Sequence, residues 1–344
     1  MKALWIEDAG LVHYDDIPDP APEPGWVKLK ILAASVCGSD LNTYRNGRSY
    51  KVDRRISGHE FVGIIEEVAD HASPWKKGQR VCVIPQMYCH ECDDCREGHV
   101  NTCPNKKYIG GRDYDGGFAE YTVVPESCLL EVPDSLSDIE AAMTEPFAVS
   151  LHAVNQAGGR ALEGRTLAIY GAGPIGLFAL EAARFYGVSR VIMLDLVPER
   201  LAIAREHGAS DVLLASADPE ELRRQVLELT GGKGVDAVVD AVCIDATIDN
   251  DLHFCRPHGT VCVVSIPKKP CKVDFLYLVR NEINLVGSYT YAGEMEDCLK
   301  IMGSGKVSVE YIADPVVPLS EGIQTFRLLS EKPDECLKAV FIPK

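Results

Sequence analysis

Hydrophobic and polar positions alternate in short runs through the first part of the chain, up to about residue 148. Residues 26–33 show this pattern most clearly, because single lysines separate the apolar side chains there. Alternation with a period of two is typical of half-buried strands, and no helix longer than a few turns is indicated in this part. The pattern predicts a compact, barrel-like β domain with strands at 26–33, 61–68, 80–84 and 118–124.

From residue 166 the pattern changes to short apolar runs that alternate with longer segments of helical periodicity. Such alternation of strands and helices is what a doubly wound parallel sheet requires. The predicted strands are 166–170, 190–195, 211–214, 235–240, 260–264 and 282–286. The predicted helices are 177–186, 198–207, 219–229, 248–255 and 275–279.

A glycine-rich turn, Gly-Ala-Gly-Pro-Ile-Gly at 171–176, joins the first of these strands to its helix. Its first glycine allows a tight bend, its second lets the backbone approach a pyrophosphate, and its third lets the helix pack closely on the strand. The next strand ends in an acid that can bind a ribose hydroxyl group and would repel a 2′-phosphate. Tight glycine turns also occur for structural reasons alone, but this combination predicts a dinucleotide site that takes NAD rather than NADP. The residues of that site are Gly171, Gly173, Pro174, Ile175, Gly176, Asp195 and Arg200.

Composition narrows the class of protein. A chain of 344 residues is long enough for two domains with substantial cores. Its net charge of −16 disfavours nucleic acid or an anionic membrane as the main partner. No apolar run approaches the ~20 residues of a membrane span, and the first residues turn acidic too early for a signal peptide. The thirteen cysteines are therefore expected to be reduced and cytoplasmic, bound to metals or packed as small hydrophobic side chains.

Four of these cysteines fall close together, at Cys89, Cys92, Cys95 and Cys103. Three cysteines at three-residue steps and a fourth shortly after can close a tetrahedral thiolate shell within one loop. A closed shell leaves no position for a substrate, so the loop predicts a structural zinc in a lobe too polar to fold by burial alone. Disulfides, chance spacing and an iron–sulfur cluster are the alternatives. Two histidines inside the loop, His90 and His99, are expected to be surface residues rather than ligands.

A second set of metal-binding residue types is scattered through the first domain. Its members are Cys37, His59, Glu60 and Glu145. Each is a weak signal alone, since a lone cysteine is usually part of a core and a lone histidine is usually only hydrogen bonded. In combination, a thiolate, an imidazole and carboxylates make a mixed shell in which one position can stay open for water or substrate.

With these features in this order, the chain resembles the zinc-dependent medium-chain alcohol dehydrogenases over essentially its whole length. It is most similar to the polyol branch around sorbitol dehydrogenase, with threonine and sugar-alcohol-phosphate dehydrogenases close by. The resemblance implies a GroES-like, mostly β catalytic domain at 1–148, a Rossmann NAD-binding domain at 149–288, and a return to the catalytic domain at 289–344. The segments that carry it are 37–40, 58–63, the four-cysteine loop, 116–121, 145–146 and 171–176.

The resemblance also implies roles for the scattered residues. It puts Cys37 and His59 on a catalytic zinc. Either Glu60 or Glu145 is then a further ligand, while the other acid holds the bound water. Ser39 is expected to accept the proton of the alcohol during hydride transfer to NAD.

Two positions depart from the family pattern. Asn42 stands where members often carry a histidine that relays protons to solvent, and an amide cannot titrate. Thr290 stands where sorbitol dehydrogenases tend to have an arginine, which weakens the case for sorbitol itself. Several other polar side chains are candidates to line the mouth of the site: Tyr44, Arg45, Arg48, Tyr50, Tyr289 and Tyr291. They favour a hydroxyl-rich substrate, or its phosphate if Arg45 or Arg48 points inward.

The sequence therefore predicts a zinc- and NAD-dependent dehydrogenase whose substrate is a secondary alcohol of the polyol or sugar-derivative class. A sugar-alcohol phosphate, threonine or a diol is the alternative substrate. A homodimer or homotetramer is expected by analogy with relatives. Two other classes of protein are open: a non-catalytic nucleotide-binding relative and a zinc-ribbon nucleic-acid binder. An open metal shell argues against the first, and the acidic composition argues against the second.

Overall fold

The computed structural model describes residues 1–50, 52, 54–70, 72–215 and 218–343. Contacts divide the chain into two compact units. Unit 1 comprises Met1–Pro146 and Met295–Lys344, and unit 2 comprises Phe147–Glu294. The sequence predicts the corresponding boundaries near residues 148 and 288. None of the described helices is long and apolar enough to cross a membrane.

The strands are numbered in chain order. Those before the glycine-rich turn are β1 (Lys2–Asp8), β2 (Leu11–Asp16), β3 (Trp26–Ser35), β4 (Glu60–Val68), β5 (Arg80–Val83), β6 (Gln86–Met87), β7 (Lys107–Tyr108), β8 (Tyr121–Pro125), β9 (Leu129–Glu131) and β10 (Thr166–Tyr170). Those after it are β11 (Arg190–Asp195), β12 (Asp211–Leu214), β13 (Val235–Asp240), β14 (Cys255–Val263), β15 (Asn284–Gly287), β16 (Ala313–Pro318) and β17 (Lys338–Ile342).

The α-helices are numbered in the same way. They are α1 (Gly38–Asn46), α2 (Asp93–Arg96), α3 (Asp138–Ala142), α4 (Thr144–Ala157), α5 (Pro174–Phe185), α6 (Pro198–Glu206), α7 (Pro219–Leu229), α8 (Asp245–Phe254), α9 (Phe275–Arg280), α10 (Glu294–Gly303) and α11 (Gly322–Glu331).

Unit 1 is organised around β3, the strand in which lysines alternate with apolar residues. The main sheet has the order β16-β17-β3-β4-β5-β9, and β8 also pairs with β3. A β1–β2 hairpin and a short β6–β7 pair lie outside it. The sheet buries a core that includes Leu29, Ile31, Phe61, Phe118 and Phe341. The prediction of a mostly β first domain is confirmed.

One strand of unit 1 is shorter than predicted. The sequence predicts a strand over 118–124, but β8 begins only at Tyr121. The preceding residues are held elsewhere, because the amides of Gly117 and Phe118 donate to the carbonyls of Gly58 and Ser57 at 2.8 and 3.1 Å. These bonds fix the backbone that leads into His59.

Unit 2 contains a six-stranded parallel sheet with the order β12-β11-β10-β13-β14-β15. The order turns at β10, which pairs with β11 on one side and β13 on the other. This is the doubly wound arrangement predicted from the pattern, and it is confirmed. The core of the sheet includes Ala168, Tyr170, Ile192, Leu194 and Phe254.

Element bounds in unit 2 agree with the prediction where the pattern is strongest. β12, β13 and α7 have the predicted bounds. β14 begins earlier than predicted, at Cys255, so α8 ends at Phe254. β15 begins after the predicted residue 282, because Glu282 has a φ of 49° and its backbone is left-handed rather than extended.

Candidate active site

Three of the predicted metal ligands come together where β3 meets β4. Ser35, the last residue of β3, pairs with Glu60, the first residue of β4. Because Cys37 follows β3 and His59 precedes β4, this register brings their side chains to the same end of the sheet. The ligand atoms of Cys37, His59 and Glu60 all lie within 4.8 Å of one another. Residues distant in sequence thus form one group of potential zinc donors.

Cys37 is held by the helix that it begins. It is the N-cap residue of α1, and its backbone amide donates to the carboxylate of Asp40 at 3.0 Å. The sequence analysis did not predict α1, because Asp40 is its only buried residue and no apolar periodicity marks it. A signal was present, since an acid three residues after an N-cap is part of a capping box.

The pocket around His59 carries surplus negative charge. Burial acts to lower the pKa of His59, but Cys37, Asp40 and Glu145 act in the opposite sense and the net pKa is well above the ordinary value. Burial raises the pKa of Asp40, although His59 and the amide of Cys37 oppose that shift. A buried anionic pocket favours a cation, and thiolate, imidazole and carboxylate are donors that zinc takes in open sites. These residues therefore fit a zinc ion.

Glu60 also has a partner that the sequence analysis missed. Lys338 of β17 lies 2.7 and 2.8 Å from the two carboxylate oxygens of Glu60, and its ammonium group also donates to the carbonyl of Val36 at 3.1 Å. The side chains of Lys338 and Glu60 are only 4% and 1% exposed. The hydroxyl group of Ser35 donates a short hydrogen bond to the same carboxylate. Glu60 is thus held by a buried cation and a hydroxyl group from two neighbouring strands.

Glu145 has a different place. It lies in the first turn of α4 and is buried. Among the described residues it does not join the group whose ligand atoms lie within 4.8 Å of one another. It still contributes to raising the pKa of both His59 and Lys338. The structure therefore puts the two candidate acids in distinct environments.

The four cysteines of the second predicted site also converge. Their sulfur atoms lie within 4.8 Å of one another. The Cys89 sulfur is 3.5 Å from that of Cys103 and 4.0 Å from that of Cys95. Sulfur atoms about 3.8 Å apart are expected around a tetrahedral ion with metal–sulfur bonds of about 2.3 Å. All four are free thiols, and these distances exceed a disulfide bond of about 2.05 Å.

Charge in this loop points to a cation as well. Hydrogen bonds from the amides of Glu91 and Cys92 lower the pKa of Cys89 to about 6. Burial, together with the neighbouring sulfur groups, raises the pKa of Cys95 to about 12. The thiols therefore cannot all ionise beside one another without a metal ion to balance their charge. The residues fit a closed, structural zinc site.

The glycine-rich turn has the geometry of an anion cradle. Gly171 has a φ of 97°, and a Cβ on Gly176 would overlap the carbonyl oxygen of Gly171. Both positions therefore require glycine. Gly173 is the N-cap of α5 and has no side-chain cap, and a Cβ there would meet nothing within 4 Å. The open space over the helix N-terminus fits a phosphate group.

Asp195 closes this turn from the neighbouring strand. Its carboxylate accepts hydrogen bonds from the amide of Ala172 at 2.6 Å and from the amide of Val197 at 2.8 Å. The side chain is buried. Arg200 lies in the first turn of α6, which begins just after Asp195. Asp195 therefore supports the turn as well as standing at the predicted ribose position.

The structure places the polar residues predicted at the mouth of the zinc site in different environments. Arg45 donates to the carbonyls of Leu329 and Ser330 at 3.0 and 3.1 Å, so α11 holds its guanidinium group. Tyr44 packs on the core of unit 1. Both have structural roles. Ser39 is exposed in the first turn of α1, and Tyr291 is buried within unit 2.

Comparisons with known proteins match both units. Residues 23–134 match the alcohol dehydrogenase GroES-like domain, and residues 174–304 match the zinc-binding dehydrogenase domain. The sorbitol dehydrogenase of Bacillus subtilis is 31% identical, with 100% of this chain and 97% of the relative covered. The L-idonate 5-dehydrogenase of Vitis vinifera is 33% identical, with 90% and 85% covered. The crystal structure of 2R,3R-butanediol dehydrogenase from Bacillus subtilis superposes with a TM-score of 0.91 at 28% identity, with 100% and 99% covered.

These matches confirm the expected GroES-like and Rossmann folds and the expected class of oxidoreductase. They also agree with the prediction of a polyol or diol dehydrogenase. Both family models and a relative that spans the whole chain lead to one conclusion. The chain belongs to the zinc-dependent medium-chain alcohol dehydrogenase family, in the polyol branch that includes sorbitol dehydrogenase.

Proposed function

We propose that this protein oxidises a secondary hydroxyl group of a polyol with NAD, using a zinc ion held by Cys37, His59 and a glutamate. The observation that carries the proposal is the group formed by the half-buried Cys37 and His59 and the buried Glu60, with ligand atoms within 4.8 Å of one another. Bound zinc supplies Lewis acidity, which lowers the pKa of a substrate hydroxyl group. Cys37 follows the last residue of β3 and His59 precedes the first residue of β4. Because these two residues of the adjacent strands pair, the sheet fixes the spacing of Cys37 and His59.

The proton of the alcohol passes to Ser39 in this proposal. Ser39 lies two residues after Cys37 in α1 and is exposed, so its hydroxyl group reaches solvent. Asn42 accepts a hydrogen bond from Asn46 at 2.9 Å and has no titratable group. Proton release therefore goes from Ser39 to water rather than through a side-chain relay at Asn42.

Glu60 and Glu145 have separate roles in this scheme. Lys338 and Ser35 already hold the Glu60 carboxylate, so binding zinc requires it to share its charge with a buried ammonium group. Glu145 is buried nearby and completes the negative charge of the pocket. We propose Glu60 as the direct ligand, because its carboxylate joins the ligand atoms of Cys37 and His59 within 4.8 Å, and Glu145 as the acid that orients the bound water.

The cofactor site is proposed at the glycine-rich turn. The N-terminus of α5 and the open space over Gly173 would take the pyrophosphate. Asp195 would accept a hydrogen bond from a ribose hydroxyl group with the lone pairs that Ala172 and Val197 leave free. Arg200 is assigned to the adenine side of the same nucleotide.

The Asp195→Asn variant tests the cofactor preference. Asparagine keeps one oxygen that can accept the Ala172 amide but removes the charge that repels a 2′-phosphate. We expect the ratio of kcat/KM with NAD to that with NADP to fall by about tenfold, equivalent to about 1.4 kcal/mol. Asp249→Asn, an exposed acid on α8, is the control and should leave the ratio unchanged. A wild-type protein that prefers NADP would contradict the assignment.

A substrate panel read by NADH absorbance tests the activity itself. We expect pentitols or hexitols to be oxidised with kcat/KM about a hundredfold above ethanol and 1-butanol, because each polar group left unpaired by an apolar alcohol costs about 1–3 kcal/mol. Threonine and 2,3-butanediol distinguish the other substrate classes. Oxidation at the same rate after the zinc has been removed and its absence verified would contradict the metal-dependent mechanism.

We further propose a homodimer or homotetramer in a reducing compartment such as the cytoplasm. Phe275, Leu276 and Val279 of α9 are each more than 60% exposed, and β15 lies at the edge of the unit 2 sheet. An exposed apolar patch and an edge strand with one free side both favour pairing with a second copy. All thirteen cysteines are free thiols, which agrees with a reducing compartment. Sedimentation of the native protein as a monomer would contradict the oligomer.

A further inference from the structure

The chain between α1 and β4 leaves the candidate zinc group and returns to it. Cys37 stands at the start of α1, and His59 directly precedes β4. Gly47 ends α1 with a φ of 77°, which turns the chain back toward β4. The described residues of this segment, 47–50, 52 and 54–58, therefore lie between two predicted zinc ligands in the chain.

Two arginines of this excursion contact one another. The guanidinium group of Arg48 donates through Nη2 to the backbone carbonyl of Arg55. Arg55 donates through Nη1 to Asp115 at 3.1 Å, and Asp115 also accepts the amide of Ile56 at 2.9 Å. Asp115 is thus the only carboxylate that this pair contacts within the described residues. Among the described residues, one acid therefore contacts the pair of guanidinium groups.

Several donors of the pair are buried without an acceptor. Nε and Nη1 of Arg48 and Nε of Arg55 have no hydrogen-bond partner in the part of the chain that the structure describes. A buried charged donor without an acceptor costs free energy, so such a cluster is matched to an anion that supplies the acceptors. The planar guanidinium group binds both phosphate and carboxylate through paired N–H groups.

The lack of acceptors distinguishes Arg48 from its neighbour Arg45. Arg45 lies three residues earlier, in the last turn of α1, and is held by Ser330 and by the backbone carbonyl of Leu329. Within the described part of the chain, Arg48 donates only to the carbonyl of Arg55, and its buried Nε and Nη1 atoms have no acceptor.

Tyr50 lies beside Arg48. Its ring centroid is 5.8 Å from the guanidinium carbon of Arg48. Burial raises the pKa of Tyr50, Arg48 and Arg55 oppose that shift, and Asp40 adds to it. Asp40 in turn accepts the amide of Cys37. The ring of Tyr50 therefore lies beside the Arg48 guanidinium group, in the stretch of chain that follows the helix of Cys37.

We propose that Arg48 and Arg55, with Tyr50 beside them, bind an anionic group carried by the polyol substrate, either a phosphate or a carboxylate. The inference rests on the proposed function, because it assigns a specificity subsite to the same reaction. The substrate is then a polyhydroxy chain whose secondary hydroxyl group lies at the zinc and whose charged end lies at the arginine pair.

Matched substrates test this with the zinc-loaded enzyme and NAD. A hexitol, its 1-phosphate and the corresponding hexonate differ only in the terminal group. We expect kcat/KM for one of the two anionic compounds to exceed that for the neutral hexitol by about tenfold or more, as charge-assisted hydrogen bonds of this kind provide. The phosphate and hexonate arms distinguish the two sources of the anion.

Variants of the arginines test which side chain provides the preference for an anionic substrate. Arg48→Gln should reduce kcat/KM for the anionic substrate about tenfold more than for the neutral hexitol, and Arg48→Lys should restore part of the difference. Arg45→Gln is the matched control, because its guanidinium group is already satisfied by α11, and it should leave the ratio of anionic to neutral substrate unchanged. Arg55 is not replaced, since its contact with Asp115 supports the backbone.

Binding of inorganic phosphate gives a readout that does not depend on turnover. Phosphate should compete with the hexitol in the wild-type enzyme and should raise its melting temperature, and both effects should be lost in Arg48→Gln. A wild-type enzyme that prefers the neutral hexitol and ignores phosphate would overturn the subsite and leave the dehydrogenase intact. An Arg48→Gln enzyme whose only change is a higher KM for NAD would overturn it in favour of a cofactor contact. Failure to oxidise any polyol or diol would instead overturn the proposed function.

Discussion

The His59→Ala variant is expected to lose about a thousandfold or more in kcat, because Lewis-acid stabilisation by a metal is worth several kcal/mol. The imidazole is one of three donors whose atoms lie within 4.8 Å, and alanine leaves the Cys37 thiolate and the Glu60 carboxylate without a neutral ligand between them. We expect the zinc content to fall from about two ions per chain to about one. Affinity for NAD, measured by fluorescence titration of NADH, should remain within about twofold, since the glycine-rich turn lies in unit 2.

His99→Ala is the matched control for this experiment. His99 is an exposed histidine in the cysteine loop, and the sequence analysis predicts that it is not a ligand. Its replacement should leave both zinc content and kcat unchanged. Retention of two zinc ions together with normal turnover in His59→Ala would show that the metal site has been assigned to the wrong residues.

The sequence predicted the candidate ligands, but it did not predict how they meet. Cys37 and His59 are candidates because their residue types in combination suit an open zinc site and because the family resemblance puts them on a catalytic zinc. Their convergence depends on the pairing of Ser35 with Glu60 across β3 and β4. Strand register is a property of two segments together, so neither segment alone contains it.

The contacts of Lys338 are a second feature that the local sequence pattern does not predict. It contacts Val36 and Glu60, which are 302 and 278 residues away in the chain. The sequence shows only a lysine in an apolar C-terminal run, and the same pattern is typical of a strand with one exposed position. The burial of Lys338 follows from the place of β17 beside β3, which no local pattern specifies. A charged residue inside a short apolar run is nevertheless a reason to look for a buried partner.

Arg45 and Arg48 were equivalent candidates in the sequence and differ in the structure. Arg45 donates to the carbonyl of Leu329 in α11, 284 residues further along the chain. Arg48 donates to the carbonyl of Arg55, which is only seven residues away. By contrast, local pattern was sufficient for α7 and β13, because each has a regular apolar period and clear ends.

The Cys92→Ser variant is expected to lose the structural zinc and the stability of the loop that it closes. A serine hydroxyl group is not a thiolate, so the ion loses one of four ligands. Structural zinc contributes about 10–16 kcal/mol of apparent binding free energy in small zinc-binding peptides. Even a fraction of that is a large part of the free energy of unfolding of an ordinary domain, which is about 5–15 kcal/mol. We expect zinc content to fall by about one ion per chain and the melting temperature to fall by about 10 °C or more.

The reason to expect so large an effect lies in how little else holds the loop. α2 has four residues, and none of them is buried. The 3₁₀ turn Val100–Thr102, which precedes Cys103, has three residues, of which Asn101 is buried. The short β6–β7 pair joins the two ends of the loop, and the sulfur contacts join Cys89 to Cys103 within it. Cys271→Ser, a partly exposed cysteine of unit 2 outside the group, is the control and should keep two zinc ions and a normal melting temperature. A Cys92→Ser protein with wild-type zinc content and stability would rule out the structural site. If the wild-type protein contained iron and absorbed visible light, the site would be assigned to an iron–sulfur cluster on the same four thiolates instead of zinc.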